Sequence, residues 1–347
     1  MSFTKILTHW YSVRKRSLPW RETRNPYYIW LSEIILQQTQ VKQGLPYYEA
    51  FVNTFPTVFD LAKAKEEQVL KLWQGLGYYS RARNLHYSAK LIANELRGEF
   101  PKNYKDLLQL KGVGDYTASA IASICYDEAT AVVDGNVYRV LSRYYGIETP
   151  INSTQGIKTF KALAQSLLPN TNIGDYNQAI MEFGAIQCKP NNPDCSTCPL
   201  QNSCIALEQN KIKALPIKIN KTKISKKHFN FLVFVSEDKK TILLQRTSKG
   251  IWQNLYQFPL IETPKSLSQK QFKTNTNIKS LLNGTEYQFS LYNEKDVVHK
   301  LSHQHLHTKF WIINVDVLPQ EGLLISEINH LPVPILIGNF IDAFNFK

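Results

Sequence analysis

Phe3, Ile6, Leu7, Trp10 and Tyr11 recur at helical spacing near the start of the chain and fall on one face of an amphipathic helix. Helical periods of this kind continue to about residue 208. They are broken by short turns at Gly44-Leu45-Pro46, at Phe55-Pro56, over residues 98–101 and over residues 112–114, with no strong alternation of period two. After residue 228 the texture changes. Residues 229–235 form an apolar run, and 241–245 and 309–315 are further strand candidates, separated by clusters of Gly, Asn, Ser and Lys. The pattern predicts a mostly α domain over residues 1–208 and an α+β domain over 229–347. Between them, residues 209–228 hold seven lysines, no acidic residue and Pro216, which reads as a basic linker able to lie along phosphates.

Composition narrows the class. A length of 347 residues suits about two domains, and a hydrophobic fraction of 43% suits folded cores rather than disorder. No apolar run reaches the 18 residues a membrane span needs, and the first residues lack the apolar core and cleavage site of a signal peptide. A net charge of +13 points to a polyanionic partner, nucleic acid first among them. The expected compartment is reducing and cytoplasmic.

Four of the five cysteines, Cys188, Cys195, Cys198 and Cys204, fall within 17 residues as C-x6-C-x2-C-x5-C. Asn191, Asn192, Pro193, Asp194 and Pro199 supply turns around them. In a reducing compartment such clusters bind metal, and four thiolates suit zinc and an iron–sulfur cluster alike. Cys125 lies apart in an apolar helical stretch and reads as a buried structural thiol.

Three further features carry chemistry. Leu110-Lys111-Gly112-Val113-Gly114-Asp115 joins two helical patterns. Gly112 and Gly114 permit a tight turn and close backbone approach, so the next helix offers its amides and dipole to a phosphate. Glu33 is the one acidic group in an apolar stretch, where its neutral form is favoured and it can serve as an acid; the bland reading is a solvent-facing helical residue. Asp134 follows Ala131-Val132-Val133 and precedes Gly135, a position that also suits a plain helix N-cap.

These pieces, with Leu18-Pro19-Trp20-Arg21, the SEIILQQTQV stretch from Ser32, the segment from Gly75 to Leu85 and Val133-Asp134-Gly135-Asn136-Val137, stand in a familiar order. Over about residues 16–204 the chain resembles the helix-hairpin-helix DNA glycosylases, and within them the A/G-specific adenine glycosylases of the MutY type. The resemblance implies one four-iron, four-sulfur cluster on the four cysteines rather than zinc. It implies Glu33 as general acid, Asp134 as the carboxylate that stabilises a cationic sugar, and Gln38 and Tyr78 at the mismatch. Trp20, Arg21 and Gln178 are candidates for the adenine pocket. At position 116, where related strand-cleaving enzymes carry a Schiff-base lysine, this chain has Tyr116, and a phenol forms no imine. The implied enzyme is therefore a monofunctional glycosylase that acts, as a monomer, on double-stranded DNA containing adenine opposite 8-oxoguanine or guanine, at the bacterial nucleoid. The cluster is expected to organise the loop that presents Lys189 to DNA rather than to take part in bond cleavage.

The C-terminal part resembles the family's Nudix-like domain through Lys249-Gly250-Ile251-Trp252 and residues 255–259. It lacks a Glu-rich hydrolase signature, so no nucleotide hydrolysis is expected of it. Leu301-Ser302-His303 stands where the family often has an aromatic residue, Ser or Thr, and His that read 8-oxoguanine; here Leu301 replaces the aromatic. His303, His305 and His307 alternate as on a strand, a weak pattern for a metal site.

Overall fold

The computed structural model describes residues 2–219, 224–282 and 284–346. The chain forms two compact units, Met1–Lys63 with Asn84–Asn220, and Ala64–Arg83 with Lys221–Lys347. The division differs from the expected one. The segment Ala64–Arg83, read as part of the helical domain, groups with the C-terminal residues. Its polar side chains explain why: Glu66 accepts from Asn254 Nδ2 at 2.5 Å, Glu67 accepts from the Tyr256 hydroxyl at 2.6 Å, and Arg83 donates to the Gln253 carbonyl at 2.9 Å.

The first unit is helical. The amphipathic N-terminus forms a helix over Phe3–Arg14, capped by Ser2 and burying Phe3, Leu7 and Tyr11, with Ile6 and Trp10 packed against the same core. Each such burial is worth about 1.5–3 kcal/mol. That core continues through Val137, Val140, Leu141, Phe160, Tyr176, Ile180 and Phe183. The helix Pro26–Leu36 begins after the Asn25 cap and packs on the helix Asp115–Tyr126, which packs in turn on the helix Ile173–Glu182. A π-helical turn, Phe183–Gln187, follows directly and delivers Cys188. Extra-residue turns of this kind often mark functional sites.

The expected linker is mostly built into the two units. Leu215 is buried, the Ile151 amide donates to the Ile217 carbonyl at 3.0 Å, and Asn152 brackets Ile219 on both sides of its backbone. On the far side the first strand already begins at Ser225. Residues 220–223 of that stretch lie outside the described residues.

The second unit holds a five-stranded sheet. Ser225–Ser236 runs antiparallel to Leu260–Thr263 and parallel to Gln304–Val315, which also pairs antiparallel with Gln288–Leu291 and Val297–Lys300. The apolar runs at 229–235 and 309–315 are the C-terminal parts of the two long strands, covered by Phe272, Ile278 and Leu282. The single strand expected over 241–245 is two short pieces, Lys240–Thr241 and Leu244–Gln245, with different partners.

Candidate active site

A cavity of about 170 Å³ in the first unit is lined by Trp20, Arg21, Glu33, Tyr116, Asp134 and Gln178. An apolar cavity of about 150 Å³ is enough to take a benzene ring, so the space is on the scale of one flat base. Six residues singled out from five separate stretches of sequence thus line one space. Their positions follow from local structure. Glu33 is half-buried on the helix Pro26–Leu36, whose buried members include Ile29, Trp30, Ile34 and Ile35. The solvent-facing reading of Glu33 does not hold, because its carboxyl opens into this cavity. Burial pushes that carboxyl up to about 7; a hydrogen bond from Tyr116 pulls it down, and the charge of Asp134 adds to the rise. Burial, and then the charge of Glu33, hold the Tyr116 phenol well above its ordinary value, so it is a neutral donor. The Tyr116 hydroxyl also lies 3.3 Å from Met181 Sδ.

Asp134 is the N-cap of the helix Gly135–Tyr145. Its Oδ1 accepts from the amides of Asn136 and Val137, both at 2.8 Å, and its Oδ2 accepts from Asn136 Nδ2 at 2.7 Å. The N-cap reading is therefore correct. Burial raises this carboxyl above its ordinary value, and those hydrogen bonds and the charge of Arg139 offset the rise only in part. All three donors are satisfied by the ionised form, and protonation would leave one of them facing a hydroxyl. Two neighbouring carboxyls are thus set apart, one able to hold a proton near neutrality and one fixed as an acceptor.

Around them, Trp20 is buried and meets Tyr48 edge-on at 5.0 Å, forming wall rather than surface. Gln178 Oε1 accepts from the Tyr11 hydroxyl at 3.2 Å. Arg21 is less free than the sequence suggested. Its Nη2 donates to Glu182 Oε2 at 2.6 Å, beside the fork made by Arg16 on the same carboxylate. Burial alone would raise Glu182, but Arg16 and Arg21 win and hold it down to about 2. Glu182 escaped sequence reading because both its partners are more than 160 residues away.

The four cysteines lie on the loop after the π-helical turn, half-buried and free of disulfides. Cys198 is within electrostatic reach of Cys188, Cys195 and Cys204. Four thiols gathered on one loop suit zinc and an iron–sulfur cluster alike. Two arginines that sequence reading passed over brace this loop. Arg143 donates to the carbonyls of Lys189 and Pro190 at 2.7 and 3.0 Å. Arg139 donates to the Cys188 carbonyl at 2.7 Å and to Asn136 Oδ1 at 2.8 Å. A chain of hydrogen bonds therefore runs from the cysteine loop to Asp134. Periodicity offered no signal for them, because on a helical wheel both arginines turn away from Val137, Val140 and Leu141, yet both are buried. Cys125 is half-buried rather than buried, and burial pushes its thiol up to about 12, which leaves it inert.

The glycine hairpin behaves unevenly. Gly112 has φ +85°, and a Cβ there would come within 2.8 Å of Asn84 Cβ. Gly114 has φ −99° and open space around it, and it leaves the first amides of the helix Asp115–Tyr126 without a side-chain cap. Gly112→Ala should therefore destabilise the protein by about 1–3 kcal/mol. Gly114→Ala should cost less stability and weaken DNA binding instead. Urea melts beside duplex-binding titrations check the pair, and equal stability losses would contradict the division.

Gln38 and Tyr78 share an unusual trait. Both are exposed, and both have positive φ, +55° and +47°. Strain of this kind in non-glycine residues tends to persist at functional sites. Within the second unit the Tyr78 hydroxyl lies 2.5 Å from Ser302 Oγ. Ser302 and His303 are exposed in the turn closed by the Leu301 amide on the Gln304 carbonyl at 2.8 Å.

Residues 31–165 match the HhH-GPD superfamily of base excision DNA repair proteins, and residues 230–343 match the NUDIX domain. The adenine DNA glycosylase of Buchnera aphidicola from Schizaphis graminum is 36% identical over 277 residues, 80% of each chain. That of Buchnera aphidicola from Baizongia pistaciae is 36% identical over 313 residues, 90% of this chain and 86% of the other. The chain belongs to the adenine DNA glycosylases. Among solved structures, a thermostable thymine-DNA glycosylase is 31% identical with a TM-score of 0.55, covering 60% of this chain and 95% of that one. The glycosylase is accordingly a base excision repair enzyme, a hydrolase of N-glycosyl bonds, with a helical endonuclease III-like domain and a Nudix-like α+β domain. Among the described residues no helix is long and apolar enough to cross a membrane.

Proposed function

We propose that the enzyme hydrolyses the N-glycosidic bond of adenine opposite 8-oxoguanine or guanine, without cutting the strand. The observation that carries this reading is the pair Glu33 and Asp134 on one cavity, with Glu33 titrating near 7 and Asp134 held as an acceptor. Adenine leaves poorly as an anion. Glu33 supplies a proton to the base as the bond breaks, which contributes roughly 10²–10⁴-fold. The sugar becomes cationic, and the Asp134 carboxylate stabilises it and positions water. The adenine must leave the stack to enter the cavity. Gln38 and Tyr78 fill the distorted duplex, a use of exposed side chains known among proteins that part base steps. Ser302 and His303 offer hydrogen bonds to the opposite base.

Cys188, Cys195, Cys198 and Cys204 would hold a four-iron, four-sulfur cluster, in line with four free thiols gathered around one loop. Bound there, it would fix the loop that carries Lys189 for DNA. Arg139 extends that influence to the site, because the same guanidinium braces the Cys188 carbonyl and Asn136. Loss of the cluster should therefore weaken DNA binding first and, through Arg139, disturb the site after it.

Duplexes with A:8-oxoguanine, A:G and thymine glycol test the substrate. Adenine should be released from the first two and the thymine glycol duplex left intact; the reverse would favour an enzyme for oxidised pyrimidines. Tyr116 gives a separate test. Borohydride added during turnover should trap no protein–DNA adduct, and piperidine should be needed to break the product strand. A covalent adduct on the natural substrate would contradict the monofunctional reading.

A further inference from the structure

One cluster of ligand-type side chains lies outside the chemistry above. His228, on the strand Ser225–Ser236, and His307, on Gln304–Val315, are register partners across parallel strands. Paired residues leave a sheet on the same face, and here the ring centroids are 5.0 Å apart. Asp296, just before the strand Val297–Lys300, brings Oδ2 to 3.8 Å from His228 Nδ1 and 3.6 Å from His307 Nδ1. One donor atom from each residue lies within 4.8 Å of the other two, and among the described residues no other trio of His, Cys, Asp or Glu does so.

The distances separate two explanations. A charge-assisted hydrogen bond from imidazole to carboxylate closes to about 2.7–2.9 Å, and neither pair does. Two ligands about 2.1 Å from one tetrahedral ion stand about 3.4 Å apart, close to what is found. His228 Nδ1 is buried and has no hydrogen-bond partner, a state that ordinarily calls for a missing water or ion. The Ser266 hydroxyl donates to Asp296 Oδ1 at 2.7 Å, which fixes the carboxylate and leaves Oδ2 facing both imidazoles. Outer hydrogen bonds of this kind orient metal ligands.

We propose that His228, His307 and Asp296 form a site for a divalent transition ion, with zinc the best match. Two imidazole nitrogens and one carboxylate oxygen suit zinc, with water in the fourth position. His303 and His305 are not part of it. The ion ties the two long strands to the Asp296 turn, at the base of the hairpin over residues 297–308 whose tip carries Ser302 and His303. Its role is to stiffen that hairpin.

The test uses the full, iron-loaded chain. Zinc is added, excess is removed, and zinc and iron are measured per chain; cobalt(II) is then bound in its place and its spectrum recorded. The expected result is one zinc per chain with unchanged iron, and cobalt bands free of thiolate charge transfer. Asp296→Asn and His307→Ala should each lower zinc affinity at least tenfold, and zinc should raise the melting temperature of the parent chain but not of Asp296→Asn. Asp296→Asn preserves shape, so the comparison stands even if His307→Ala folds poorly. A parent chain that retains no zinc, variants that bind it equally, or a thiolate charge-transfer band would overturn the proposal.

Discussion

Glu33→Gln should slow adenine release by about 10²–10⁴-fold while leaving the fold intact, the range expected for loss of a general acid. The substitution is nearly isosteric and keeps an oxygen for the Tyr116 hydroxyl, which now donates to the carboxylate. The buried neighbours on the helix Pro26–Leu36 are untouched. What is lost is the proton. Burial pushes the Glu33 carboxyl up to about 7, which lets it keep a proton near neutral pH. Single-turnover release from an A:8-oxoguanine duplex measures the effect, with circular dichroism as a check on folding. Activity within threefold of the parent would remove Glu33 from the mechanism.

Asp134 separates charge from structure. Asp134→Asn should lower the rate by about 10²–10³-fold, since a fixed charge opposite a developing cation is lost. Stability should fall little, because Asn caps helices about as well as Asp. One new strain is a donor meeting Asn136 Nδ2, which now donates to Asp134 Oδ2. Asp134→Ala should be as inactive and should lose the cap as well, about 1 kcal/mol more. Rates and urea melts of the two variants, set side by side, decide the matter. If Asp134→Asn were as active as the parent, Asp134 would be a cap and nothing more.

Much of this site was legible in the sequence, because its members announce themselves locally. An acid alone in an apolar helix, an Asp before Gly at a helix start and closely spaced cysteines are each visible over a few residues. The amphipathic first helix and the two long strands were visible for the same reason. What depended on distant pairing was not. Glu182 acquires its meaning from Arg16 and Arg21, and Arg139 from a carbonyl 49 residues on. The segment Ala64–Arg83 looked helical like its neighbours, but its carboxylates are taken up by Asn254 and Tyr256. His228 and Asp296 are 68 residues apart and meet only because the parallel strands set His228 opposite His307. Periodicity reports which face is buried, not what it meets.

The most direct test of the account is the pH dependence of single-turnover adenine release from an A:8-oxoguanine duplex. Glu33 carries its proton below about 7 and loses it above. The account predicts that adenine is released, with a rate that is level on the acid side and falls toward tenfold per pH unit above 7. Release that stayed level to pH 9 or rose with pH, or a duplex that kept its adenine, would contradict it.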